Sequence, residues 1–164
     1  MVELKKITLL SDNMKECIAL DITPEKKDFV ESNAYMLAWA YENNSHNKPM
    51  ECRAIYVDDK MVGLIVYQYY TNEAYFNDET VYRLRPFAVD KHHLGNGYEE
   101  QALKLLIDEI RTKPLGEASA IYSSYDTKEE DMAVVYEHAG FAKIQLKLAD
   151  EDETNDTIFV RLGM

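Results

Sequence analysis

Between Thr80 and Ser123 the chain runs strand, glycine turn, amphipathic helix, strand, and no other stretch limits its fold so tightly. Thr80–Val89 is apolar and β-branched. The helix after Gly95 and Gly97 carries Leu103, Leu106, Ile107 and Ile110 on one face, and Ala118–Ser123 is again a strand. A crossover through a helix joins parallel neighbours, so the sheet must contain a locally parallel pair. Pro86 interrupts the first of the two strands and marks an edge, a bulge or a gap, because proline cannot donate to a ladder.

The flanking segments read as hairpins and helices. Leu4–Leu10 is a first strand, followed by a short helix capped by Ser11 or Asp12. Thr23-Pro24 opens a second helix that runs to about Asn43, with Phe29, Asn33, Met36, Leu37, Ala40 and Tyr41 along one face. Glu51–Val57 and Met61–Tyr69 form a hairpin through Asp58-Asp59-Lys60, and a polar turn spans Asn72–Glu79. A helix from Lys128 to Ala139 stops at Gly140, and Phe141–Leu148 and Thr157–Leu162 pair around the acidic tip Asp150–Glu153. The order is β-α-α-β-β-β-α-β-α-β-β. It predicts an α/β (α+β) class fold, a mixed central β-sheet with helices on both faces, in one domain over residues 1–164.

Composition narrows the function. A hydrophobic content of 46% with only four prolines argues for a packed core. No apolar run spans a bilayer, the N-terminus lacks a signal-peptide apolar region, and Cys17 and Cys52 make neither a disulfide framework nor a metal spacing. A cytoplasmic protein without a metal is expected. The net charge of −12 repels nucleic acid and anionic membranes and draws cations. Composition alone favours simple solubility over a cationic substrate as the reason for such a charge.

The segments "TPEKKDFVESNAYMLAWAY", "AIYVDDKMVGLIVY" and "VVYEHAGF", in this element order, resemble the GNAT superfamily of acetyl-CoA-dependent N-acetyltransferases. They look most like its bacterial spermine/spermidine acetyltransferase-like branch. The resemblance implies a GNAT-like sheet, acetyl-CoA as co-substrate, a small-molecule amine such as a polyamine as acceptor, and room for a homodimer. In that family the strand before the phosphate loop splays from its parallel neighbour, which would put Phe87, Ala88 and Val89 beside the pantetheine arm. The family loop, Arg or Gln, two residues, Gly, one residue, Gly or Ala, falls on Leu94, Gly95, Asn96, Gly97, Tyr98 and Glu99. Gly97 matches; Leu94 and Glu99 depart. Backbone amides there can still face a pyrophosphate at a helix N-terminus, while Glu99 read alone is an ordinary first-turn acid.

The pattern Tyr-x-x-x-Gly-Phe is met by Tyr136, Gly140 and Phe141, and the resemblance makes Tyr136 the general acid that protonates the departing CoA thiolate. A core tyrosine is the alternative in a chain with 12 tyrosines. The family's asparagine seven residues earlier is Glu129 here. An alkylammonium, with pKa ~10.4, must lose a proton before it attacks, and Glu31, Glu73, Asp78 and Glu79 are candidates for the acceptor site. His92-His93 and His138 suggest no zinc site. The competing functional reading is a catalytically silent GNAT-like domain that binds a small cation or a protein partner.

Overall fold

The computed structural model describes residues 1–8, 13–22, 32–85, 87–147 and 156–164. Its elements are β1 (Val2–Lys6), α1 (Asn13–Ile18), α2 (Asn33–Ser45), β2 (Met50–Val57), β3 (Lys60–Glu73), β4 (Glu79–Leu84), β5 (Ala88–Val89), α3 (Tyr98–Arg111), β6 (Ala120–Asp126), α4 (Glu130–His138), β7 (Ala142–Ile144) and β8 (Thr157–Gly163). The sheet order is β1-β2-β3-β4-β6-β8-β7, with β5 also beside β3. Among the described strands the β4–β6 pair alone is parallel, and the chain between them carries α3, as the crossover argument requires.

The strand period of two sorts side chains onto two faces. On one, Ile55, Ile65, Tyr67, Tyr82 and Leu84 pack with Leu103, Leu106, Ile107 and Ile110 of α3 and Met132 and Tyr136 of α4. On the other, Ala54, Tyr56, Leu64 and Val66 meet Cys17 of α1 and Met36 and Ala40 of α2. A third apolar group, Phe76, Val81, Tyr122, Leu146 and Phe159, fills the far end of the sheet. The mixed sheet with helices on both faces is therefore as the sequence predicts.

Boundaries differ where side-chain bonds override pattern. The first strand occupies Val2–Lys6 rather than Leu4–Leu10, whose last two residues lie outside the described residues, as do Ser11, Asp12, Thr23, Pro24 and Phe29. The second predicted helix cannot run unbroken to Asn43. Ser32 is extended, with φ −60° and ψ 147°, and its side chain accepts from Tyr35 N–H to start α2. Asn33 then anchors α2 by donating from Nδ2 to Cys17 O at 2.8 Å. Tyr41, expected on the core face, is 76% exposed. Strand β3 continues to Glu73, four residues beyond the predicted Tyr69, because β4 pairs with it there. β6 runs on to Asp126 along β8, and β7 shrinks to three residues.

Candidate active site

Parallel pairing of β4 with β6 lasts for Val81↔Ala120, Tyr82↔Ile121 and Arg83↔Tyr122 and then stops. Beyond it the chain resumes as β5, which pairs with β3 through Gly63↔Val89 and Leu64↔Ala88, while β6 stays with β8 up to Asp126. A cleft opens between β5 and β6. Two backbone bonds hold its near wall against β3: Arg85 N–H to Val66 O and Asp90 N–H to Val62 O, both 2.8 Å. Gly63 makes this approach feasible, since a Cβ there would stand 2.8 Å from Ala88 O. Ladder alternation turns the main-chain groups of Ala88 and Asp90 towards β3 and those of Phe87 and Val89 towards the cleft.

Phe87, Val89, Leu94 and Glu99 line one side, and Ser124, Tyr125, Glu129, Met132 and Tyr136 the other, with Ile22 at the margin. Side chains nearly fill the space. The cavity left is about 10 Å³, room for about one water. Tyr136 projects from α4, 1% exposed, stacked on Tyr125 at 5.9 Å and edge-on to Phe141 at 5.2 Å. Its hydroxyl lies 2.6 Å from Ser123 Oγ. Burial pushes the phenol up to about 12, against the opposing pull of the Ser123 bond and the nearby Arg83 charge. At neutral pH it holds its proton.

The loop into α3 turns on two glycines. Gly95 and Gly97 have φ of 77° and 74°, a left-handed conformation that glycine adopts at no cost. Gly97 is the N-cap of α3 and supplies no side chain to satisfy the first N–H groups of Tyr98, Glu99 and Glu100. Asn96 braces the turn by donating from Nδ2 to His93 O at 3.0 Å. Tyr98, half-buried, packs its ring 6.4 Å from that of His93. Glu129 is 7% exposed and accepts from Asp126 N–H through Oε2 at 3.1 Å. Two carboxylates, Glu99 and Glu129, thus border the same narrow cleft.

Of the carboxylates expected at an acceptor site, none of the described ones lines this cleft. Glu31 lies outside the described residues. Asp78 is exposed on a turn, and Glu73 lines a separate cavity beside Trp39, Gln68 and Tyr70. Glu79 is a structural anion: Arg161 donates from Nε at 3.0 Å and from Nη2 at 2.7 Å, and Tyr122 and Ser119 add hydroxyl bonds. The Arg161 bonds, helped by those hydroxyls, hold its carboxyl down to about 2. Among the described residues no cluster of His, Cys, Asp and Glu could hold a metal, and no helix is long and apolar enough to cross a membrane.

Sequence reasoning missed Ser123, Ser124, Arg83 and Arg85. The serines carry no motif. The arginines did leave a signal, two cations spaced by one residue in the otherwise apolar "VYRLRPFAV".

The acetyltransferase (GNAT) family model matches residues 16–141. No curated protein sequence matches the chain. Solved structures with the same fold include spermidine N-acetyltransferase from Vibrio cholerae in complex with CoA and spermine (12% identity, 99% of this chain and 95% of that one, TM-score 0.69). Also similar are the ribosomal-protein-S18-alanine N-acetyltransferase from Escherichia coli (16% identity, 99% and 94%, TM-score 0.66) and Campylobacter jejuni N-acetyltransferase PseH in complex with acetyl coenzyme A (12% identity, 100% and 99%, TM-score 0.59).

Proposed function

The chain belongs to the acetyltransferase (GNAT) family, whose members move an acetyl group from acetyl-CoA to an amine, and on that footing we propose that Tyr136 is the general acid of a direct transfer in the β5–β6 cleft. The observation that carries this is the buried hydroxyl of Tyr136, protonated at neutral pH, on a cleft bordered by Phe87 and Val89, whose main-chain groups the ladder turns away from β3. Those groups would pair with the extended arm of the thioester, and the N–H groups from Gly95 to Glu99 would face its pyrophosphate. The amine nitrogen attacks the acetyl carbonyl carbon and the C–S bond breaks. The Tyr136 O–H proton, oriented by Ser123, passes to the leaving sulfur, while the proton shed by the attacking nitrogen leaves to solvent, from which the phenolate is re-protonated. The free thiols Cys17 and Cys52, both pushed up to about 12 chiefly by burial, have no part in the transfer; they fit the reduced, cytoplasmic setting we propose.

A polyamine acceptor is the second reading. It is favoured by the net charge of −12 and by the shared fold with the Vibrio cholerae spermidine enzyme. The catalytically silent alternative is tested directly by calorimetric titration with acetyl-CoA. Sub-millimolar binding together with acetylation of a primary amine supports the transferase. Absence of binding at millimolar ligand overturns it.

A further inference from the structure

Two arginines near the break in the sheet, Arg83 buried and Arg85 half-buried, meet no acid among the described residues. Arg83 is 9% exposed, lodged between the rings of Phe76 and Phe159 at 5.9 and 5.5 Å. Its Nη2 donates to Ser124 Oγ at 2.8 Å, and its Nε and Nη1 have no partner. Arg85, just past the end of β4, stacks on Trp39 at 4.4 Å. Its Nη2 donates to Gln68 Oε1 and to the Tyr70 hydroxyl, both at 3.0 Å, and its Nε has no partner.

The contrast with the other half-buried or buried arginines is sharp. Arg53 is held by Glu51 and Glu109, and Arg161 by Glu79. The chain has 30 acidic residues, yet among the described residues neither Arg83 nor Arg85 meets one. A buried cation without an anion is expensive, and an anion arriving from outside would offset that cost. Burial and the mutual repulsion of the two guanidiniums bring Arg83 down to about 10, which still leaves it charged at neutral pH.

Their position says which anion. Arg83 is bonded to Ser124, which lines the cleft with Tyr136. Arg85 is bonded to Gln68 and Tyr70, which together with Trp39 line an open cavity of about 570 Å³. Neither arginine lines these spaces itself, but Arg83 reaches the wall of the transfer cleft through Ser124, and Arg85 the wall of a space large enough for a small molecule through Gln68 and Tyr70. Guanidinium forks match carboxylates in geometry and charge.

We propose that the acceptor amine also carries a carboxylate, which enters through this cavity and docks on Arg83 and Arg85 so that the amine end reaches the cleft beside Tyr136. This rests on the transferase reading for the amine, but the anion site stands on the arginines alone. An amino acid of this kind is neutral overall, so the acidic surface offers it no net repulsion.

The test is calorimetric titration of the whole chain with matched probes: δ-aminovalerate against pentylamine and cadaverine, and α-amino acids against their amides. The carboxylate member of a pair is expected to bind about tenfold or more tightly. That advantage should fall to about threefold or less in Arg85→Gln and persist in Tyr136→Phe. Arg83→Gln serves as a second variant where its melting temperature shows that it folds; otherwise Arg85→Gln decides. Equal binding within every pair, or a preference that survives in Arg85→Gln, overturns the proposal. Titration with acetyl-CoA separates the two readings. Turnover of amines without any carboxylate preference leaves the transferase standing and removes the anion site. A carboxylate preference without acetyl-CoA binding does the reverse.

Discussion

The hydroxyl of Tyr136 and Oγ of Ser123 lie 2.6 Å apart inside the protein, joining α4 to β6 at the edge of the cleft. The pair fixes where the phenol points, and burial keeps it protonated. Tyr136→Phe should leave acetyl-CoA affinity nearly unchanged and lower kcat about 10²-fold, the scale for losing a general acid. Ser123→Ala should cost less, since it misplaces the proton without removing it. With the phenol at about 12, kcat/KM should climb with pH as the acceptor ammonium deprotonates near ~10.4. No descending limb should appear below pH about 10. A pH–rate profile on both enzymes checks this, and an unchanged kcat in Tyr136→Phe removes the residue from the mechanism.

Glu99 stands on the cleft wall where a pyrophosphate at the α3 N-terminus would feel its charge. At about 6 Å and an effective dielectric of about 40, the repulsion is roughly 1.4 kcal/mol, or about tenfold in affinity. Glu99→Gly should therefore tighten acetyl-CoA binding at low salt, despite the cost of ~0.5–1 kcal/mol in helix stability. Leu94→Gln should help less. Equal dissociation constants for wild type and Glu99→Gly would show that the carboxylate points away from the phosphates.

Glu79 belongs to stability. Its carboxyl lies at about 2, below the ordinary value of about 4.3 that it regains on unfolding. The bonds to Arg161 therefore stabilise the fold above pH about 4.3, and that contribution fades as the pH falls towards 2. Glu79→Gln should cost about 1–3 kcal/mol at pH 7. Denaturant melts of both proteins should converge as the solution is acidified. A constant gap across that range would contradict the assignment.

Salt separates the two acceptor readings. Steering by an acidic surface weakens as the Debye length shrinks from ~30 Å at 0.01 M to ~8 Å at physiological strength. If a polyamine is the acceptor, its kcat/KM should fall with added salt more steeply than that of a monoamine. An amino acid carrying a carboxylate should show a shallower slope than either. Parallel slopes for all three would remove steering from the account.

The frame of the site was legible because it depends on order and period. The crossover demanded the parallel pair, and Leu103, Leu106, Ile107 and Ile110 all face the core as their spacing implies, while Pro86, read as an edge, bulge or gap, lies outside the described residues. Phe87, Val89, Leu94, Glu99, Glu129 and Tyr136 meet at one cleft because the chain's own turns bring them there. What could not be read were pairings across the sheet. Nothing local tells that Glu79 is taken by Arg161, 82 residues away, or that Ser123 meets Tyr136. Composition also misled in one respect: a chain of net charge −12 keeps two cations apart from every described acid.

Strand β3 is bonded to β2 along one edge and to both β4 and β5 along the other. It is thus a splint across the break, and the distance between β5 and β6 is set by main-chain bonds rather than by an occupant. Side chains alone close the slot to about 10 Å³. Admitting a thioester then asks the buried side chains that line the slot, Phe87, Met132 and Tyr136 among them, to change rotamer, and does not ask the strands to part.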